Sequence, residues 1–366
     1  MSGTSMDGVD AALVRFGEHS CEILATHKQA YPESLRADLK VATQNPETFT
    51  IDTFGALDQM VAEHFSSAAL AVIDHSDIDP ARIEAIGSHG QTVRHRPHAE
   101  HPFTLQIGDP NKIAATTGLA TVADFRRRDL AEGGEGAPLA PAFHQWLFAR
   151  SHRNCVVLNI GGIANVTLLA DNEDEVIGFD TGPGNTLLDI WISEKRSSAF
   201  DDRGAWAASG NVIQALLLTL LEDPYLALPP PKSTGFEYFN LRWLNDAIQK
   251  SGLTATAGDN DIQATLVEFT VRGIADAIKH HAPDTSAVMV CGGGVHNDYL
   301  MSRLSENLAG AAVSSTADFG LDADWVEATA FAWLAMRTMQ QQTGNLPSVT
   351  GATSKAILGC LHFGTS

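Results

Sequence analysis

Cysteine is scarce in this chain. Four occur in 366 residues, at positions 21, 155, 291 and 360, and no two stand at metal-ligand or redox spacing. That excludes a disulfide-stapled secreted fold and points to a reducing, cytoplasmic setting, with Cys155 and Cys291 as buried thiols inside apolar runs. Long apolar stretches are also missing. None approaches the roughly 18–20 residues of a membrane span, and the first residues lack the basic and apolar regions of a secretory leader. Positive charge is short as well: 24 Lys and Arg face 44 Asp and Glu, for a net charge of −20. Such a balance argues against nucleic acid and anionic membranes as partners. There is no G-x-x-x-x-G-K-[ST], no G-x-G-x-x-G, no H-E-x-x-H, no C-x-x-C and no G-x-S-x-G.

Glycine, by contrast, is abundant at 31 residues, and three glycine-rich turns adjoin strand-like apolar runs. The first is M-S-G-T-S-M-D-G-V-D, residues 1–10, which leads into Ala11–Phe16. Gly3 and Gly8 let the backbone approach a ligand, and Thr4 and Ser5 supply hydroxyls. Successive N–H groups in such a turn form an anion nest, and Asp7 with Asp10 suits Mg²⁺ held through water. An ordinary hairpin turn is the competing reading of this block alone. The second turn, Gly161–Gly162, follows the run 156–160, and the third, Gly292–Gly294, follows 287–291. Three such devices suggest one nucleotide gripped from several sides. An acidic chain that binds ATP must also concentrate positive potential, and the candidates are Arg126, Arg127, Arg128 and Lys232.

Periodicity predicts strands near 9–16, 21–28, 83–87, 103–108 and 119–125, and helices near 34–43 and 51–73. In the longer helix Phe54, Leu57, Val61, Phe65, Ala68 and Val72 form a core-facing stripe. The loop 133–138 is the expected hinge into a helix at 139–148. Beyond it come strands near 154–161, 164–170, 176–180 and 286–291. Helices are expected near 184–195, 206–222, 240–250, 262–281 and 297–308.

Asp180 ends the strand 176–179 and precedes T-G-P-G-N, so it stands either at the ligand crevice of an α/β fold or as a helix-capping acid. Asn185 and Asp189 share one helix face, four residues apart. The loop 88–92, with His89, Gly90 and Gln91, suits the wall of a sugar pocket. Glu327 stands before small and aromatic residues, as a site acid or as a first-turn acid favoured by the helix dipole. One of the arginines 126–128 suits a carboxylate or phosphate, with Arg128 chosen.

Taken in order, the blocks resemble the anhydro-N-acetylmuramic acid kinases of the sugar kinase, Hsp70 and actin superfamily. They are residues 1–10, I-G-S-H-G-Q-T at 86–92, V-A-D-F-R-R-R-D at 122–129, N-I-G-G at 159–162, G-F-D-T-G-P-G-N at 178–185, P-K-S-T-G at 231–235, C-G-G-G at 291–294 and E-A-T-A-F-A-W at 327–333. They span essentially the whole chain. The resemblance implies an α/β fold of two ribonuclease-H-like (actin-like ATPase) domains facing each other across a nucleotide cleft. Residues 1–135, with 341–366, would form the first domain and 136–340 the second. It implies ATP and Mg²⁺ as cofactors and a small-molecule amino sugar as partner; a homodimer is left open.

By the same resemblance Asp180 is the general base. Gly3, Thr4, Ser5, Met6, Asp7, Gly8, Val9, Asp10, Asn159, Gly161, Gly162, Lys232, Gly292, Gly293 and Gly294 bind nucleotide. Ser5, His89, Gln91, Arg128, Asn185 and Glu327 bind sugar, and Asp7 holds the metal through water. The implied reaction opens 1,6-anhydro-N-acetylmuramic acid with water and phosphorylates it, in the recycling of bacterial cell-wall sugars. The rival readings are a nucleotide-switched protein of the Hsp70 or actin kind and an ordinary hexose kinase. One departure stands out. In the family an apolar strand precedes the first block, whereas Met1 is already inside it, so a first hairpin arm of five or six residues is expected upstream.

Overall fold

A computed structural model describes residues 1–3, 6–44, 49–150, 152, 154–253 and 257–364. The chain divides into two compact units, Met1–Leu147 with Trp325–Ser366, and Phe148–Asp324. These divisions differ from the expected ones at 135/136 and 340/341, because the helices Ala140–Phe148 and Val326–Met339 pack together in the first unit, Trp146 against Trp333. Asp129 is fully buried. It accepts hydrogen bonds from Asn345 Nδ2 at 2.7 Å, Thr350 Oγ1 at 2.8 Å and the Gly136 N–H at 2.8 Å. The Glu135 N–H donates to the Thr350 carbonyl at 2.8 Å. The loop 133–136 is therefore fastened inside the first unit, which corrects its reading as a hinge. The helix Ala140–Phe148 follows it there, with Trp146 against Phe16 and Trp333.

In the first unit, β1 (Gly8–Phe16) and β2 (Cys21–Ala30) pair antiparallel. A separate three-stranded sheet places β3 (Ile86–Ser88) parallel to β6 (Thr121–Ala123), which pairs antiparallel with a C-terminal strand, Cys360–His362. Between β3 and β6 in sequence, β4 (Gln91–Arg96) and β5 (Phe103–Ile107) form a hairpin, of which only β5 was expected. The helix Ile51–Asp74 starts at Thr50, whose hydroxyl accepts the Thr53 N–H at 3.1 Å, an N-cap of the ordinary kind. Its expected stripe is real: Leu57, Val61, Phe65, Ala68 and Val72 are all buried. The helix Val326–Met339 packs on both β1 and β3.

The second unit is built on one five-stranded sheet. β7 (Cys155–Ile160), β8 (Ile163–Leu168) and β9 (Ile177–Pro183) form an antiparallel meander. β10 (Ala287–Cys291) lies parallel to β7 on its other side, and β11 (Ala312–Ser315) lies parallel to β10. The buried β7 and β10 are nearly continuous apolar runs, as two-sided burial requires. The long helix Asp259–His281 packs on β8 and β9. The helix expected at 206–222 is broken into Ala205–Ala208 and Gln214–Leu221. Side chains of the long helix account for the break: Asp261 Oδ1 accepts the Asn211 N–H at 2.7 Å and Thr265 Oγ1 the Ile213 N–H at 2.9 Å.

Candidate active site

The second unit holds two of the three glycine turns, on either side of the end of β7. The β7–β8 turn at Gly161–Gly162 is fastened to the end of β9. Gly184 N–H donates to Gly162 O at 2.8 Å, Asn185 N–H to Gly161 O at 2.8 Å, and Thr186 N–H to Gly162 O at 3.0 Å. A Cβ at Gly184 would run into the Gly161 carbonyl, so this contact needs glycine. Asn185 Nδ2 reaches the Ile160 carbonyl at 3.2 Å. On the other side of β7, Gly292 takes φ +80°, and a Cβ there would meet Asn159 Oδ1. Asn159, Gly161, Gly162, Gly292, Gly293, Gly294 and Asn185 thus share one end of the sheet. Five glycines leave this end of the sheet short of side chains, and glycine backbone beside the Asn159 and Asn185 amides has the chemistry that receives phosphate.

Asp180 sits on β9 where the pairing with β8 slips. Asn165 faces Asp180 and Ala164 faces Gly182, so Thr181 is the extra residue of a bulge. Thr181 Oγ1 donates to Ala164 O at 3.2 Å. Asp180 is held on three sides: its N–H donates to Lys232 O at 3.1 Å, its carbonyl accepts from Tyr225 Oη at 2.9 Å, and its Oδ2 accepts the Thr234 N–H at 3.0 Å. Lys232 is not among the glycine turns. Its Nζ donates to the Tyr225 and Leu226 carbonyls at 3.2 and 3.0 Å and lies over the Tyr225 ring. Burial lowers its pKa, against the pull of Asp180. The two carbonyl bonds fasten Lys232 to the segment 225–226. One turn into the helix Thr186–Arg196, burial raises the Asp189 carboxyl to about 7.

In the first unit a second set of polar groups gathers. The Ser2 hydroxyl lies between Gln91 Oε1 (2.6 Å) and the Gly8 carbonyl (2.7 Å), and Gln91 Nε2 donates to Gly3 O at 3.2 Å. Gln91 therefore splints the N-terminal turn. The Met6 and Val9 side chains are buried in the core, while Asp7 is exposed and Asp10 half-buried. Thr4 and Ser5 lie outside the described residues. His89 is buried, and its Nε2 accepts from Arg126 Nε at 3.0 Å. Burial, and then the Arg126 charge, hold the imidazole neutral with a pKa well below normal, so Nδ1 carries its proton. Arg126 also donates to Gly136 O at 2.8 Å. Burial lowers its guanidinium to about 10, opposed by Glu327 and Asp129. Glu327 keeps solvent contact. The protein packed around its carboxyl still raises its pKa, against Arg126 and the Met1 ammonium.

The arginine in this cluster is Arg126, not Arg128. Arg128 is spent on an exposed pair with Glu132 at 2.7 Å. Three adjacent arginines look alike in sequence. The structure separates them because the helix Arg127–Ala131 begins after Arg126, which stays at its cap while Arg127 and Arg128 take the solvent face. Among the described residues no group of three or more His, Cys, Asp or Glu forms a metal cage. Asp7 and Asp10 are an oxygen donor pair of the kind Mg²⁺ accepts when phosphate and water complete its shell.

The full-length match settles the family. A family model described as Anhydro-N-acetylmuramic acid kinase matches residues 1–364. The chain belongs to that family. Relatives named anhydro-N-acetylmuramic acid kinase agree: one from Coxiella burnetii (strain RSA 493 / Nine Mile phase I) is 50% identical over 366 residues, covering 100% of this chain and 96% of its own. Another from Xanthomonas oryzae pv. oryzae (strain MAFF 311018) is 50% identical over 365 residues, covering 99% and 96%. All four cysteines are free, and among the described residues no helix is long and apolar enough to cross a membrane.

Proposed function

We infer that this kinase uses ATP and water to convert 1,6-anhydro-N-acetylmuramic acid to N-acetylmuramic acid 6-phosphate and ADP, in a cytoplasmic recycling of cell-wall sugar. The observation that carries the reading is the immobilised Asp180, gripped by Lys232 O, Tyr225 Oη and Thr234 N–H on the strand whose far end is laced to the glycine turns. In this reading Asp180 takes a proton from water as the water oxygen bonds to the anomeric carbon. The bond from that carbon to the bridging oxygen breaks, and the freed O6 attacks the γ-phosphorus of ATP. Phosphoryl transfer asks for placement and charge neutralisation more than covalent help. The Gly161–Gly162 and Gly292–Gly294 backbones, with Asn159, would receive the nucleotide. Asp7 and Asp10 would hold Mg²⁺, which neutralises phosphate charge. Arg126 would meet the lactyl carboxylate, kept in place by His89, while Glu327 and Asn185 accept and orient sugar hydroxyls. The two-domain ribonuclease-H-like architecture is part of this reading, supported by the meander-plus-parallel sheet of the second unit.

Turnover in ¹⁸O-water tests the chemistry. Solvent oxygen should enter the anomeric hydroxyl, read before ring-opening exchange, and not the phosphate. Label in phosphate would mean ATP hydrolysis separate from ring opening, and equal turnover of a sugar lacking the anhydro bridge would leave an ordinary hexose kinase.

A further inference from the structure

β9 closes one side of the five-stranded sheet, and Asp180 lies where its ladder with β8 slips. A bulge disrupts the regular ladder around the extra residue, so β8 alone does not fix the peptide that joins Asp180 to Thr181. A side chain meets that peptide instead. Tyr225 Oη donates to the Asp180 carbonyl at 2.9 Å, and the Asp180 N–H donates to Lys232 O at 3.1 Å. Both backbone groups of the aspartate leave the sheet for the segment 223–235, which covers this edge of β9 in place of a further strand.

Tyr225 is itself held fast. Its side chain is buried, its ring packs edge-on against Phe239 with centroids 5.7 Å apart, and Lys232 Nζ sits 4.8 Å over its face. Its N–H donates to Asp223 Oδ1 at 2.9 Å. Asp223 gathers two more donors, Tyr238 Oη at 3.0 Å and Trp243 Nε1 at 2.8 Å. Trp243 in turn stacks on Phe269 of the long helix Asp259–His281, with centroids 5.7 Å apart. A continuous set of contacts thus runs from that helix through Asp223 to the Tyr225 hydroxyl. Burial, and then the Asp180 charge, raise the phenol's pKa, so the hydroxyl keeps its proton and stays a donor. Packing explains the ring and leaves the oxygen unexplained: phenylalanine would fill the same space and leave the Asp180 carbonyl unmet.

We propose that Tyr225 is a positioning residue for the reaction, its hydroxyl setting, through the Asp180 carbonyl, the angle at which the Asp180 carboxylate faces the attacking water. The proposal rests on Asp180 as the general base. Rotation of the backbone at residue 180 moves that carboxylate and leaves in place the groups that bind sugar and nucleotide. The effect therefore falls on turnover and not on affinity.

Tyr225→Phe removes the one oxygen. It should lower kcat about 10- to 100-fold, while KM for the sugar and for ATP stays within about twofold. Added to Asp180→Asn it should cost less than about a further twofold, because a residue that acts through Asp180 then has nothing left to position. Tyr238→Phe takes the same atom from the neighbouring ring, which points at Asp223, and should lower kcat by no more than about threefold. The proposal is overturned by an unchanged kcat in Tyr225→Phe, by a raised KM in place of a lowered kcat, by a full further loss on top of Asp180→Asn, or by an equal fall in Tyr238→Phe. Near-normal turnover by Asp180→Asn is a separate failure, which removes the general-base reading and the positioning role with it. Should Tyr225→Phe not melt cooperatively, Asp223→Asn carries the test. It keeps an acceptor for the Tyr225 N–H and sets an amide donor against Trp243 Nε1. A fall in kcat of at least about threefold at constant KM supports the proposal, and an unchanged kcat overturns it.

Discussion

Asp180 is clamped by its backbone and by one carboxylate oxygen, so its substitution separates chemistry from folding. Asp180→Asn keeps an acceptor for the Thr234 N–H. Turnover should fall by about 10² to 10⁴ while ATP affinity, by titration calorimetry, stays within about twofold. The arginines offer a matched contrast. Arg126→Lys keeps the charge and loses the planar fork that reaches both His89 and Gly136. It should raise KM for the sugar roughly 10- to 100-fold, the worth of charged hydrogen bonds of about 1.5–3 kcal/mol. Arg128→Ala should change KM by less than about twofold, because its pair with Glu132 is exposed. A pH test falls on Asp189. Its folded pKa of about 7 lies above the 3.8 usual for an aspartate, so protonation stabilises the fold. That contribution is complete below about 4 and is lost as pH rises through about 7. Asp189→Asn should flatten the decline in stability across this window, by on the order of 1–4 kcal/mol in denaturant titrations at pH 8.

At the scale of elements, what the sequence showed and what it hid follow from the range of the interactions. The long helix Ile51–Asp74 was legible because its stripe is a local period. So was the strand that delivers Asp180, although it runs on through Thr181, Gly182 and Pro183 instead of stopping at Asp180. The β8–β9 bulge was not legible, since it depends on the register of two strands. The partners of Lys232 were hidden for the same reason: they are carbonyls of Tyr225 and Leu226, set by a loop fold with no sequence signature. The broken helix at 209–213 answers to side chains some fifty residues away. Among the glycine turns, Gly184 is the most exacting, because a Cβ there meets backbone that cannot swing aside. Gly184→Ala should weaken nucleotide binding at least about tenfold and lower the melting temperature, both measurable by thermal shift with and without ATP.

For the whole molecule, the two units differ in how the chain supplies them. The unit Phe148–Asp324 is one continuous stretch with its own core, from Val156 and Leu158 to Ile274 and Leu304. Expressed alone, it should give a cooperative melt and native-like amide protection. The other unit is closed only when Asn345 and Thr350 reach Asp129. Ending the chain before Asn345 would leave a buried carboxylate two partners short. Protection should then be lost in β1, β2 and β6 while β7–β10 stay protected, by exchange read with mass spectrometry. The same Asp129 knot sets a timetable on the ribosome. Residues 1–147 emerge first, yet their last partners arrive about 200 residues later, on the order of 10–40 s at ordinary elongation rates. Through that interval the middle of the chain can fold while its beginning waits with apolar strands uncovered. Synthesis of this protein therefore depends on whatever shields the first 147 residues in the meantime, and a slower ribosome lengthens the exposure.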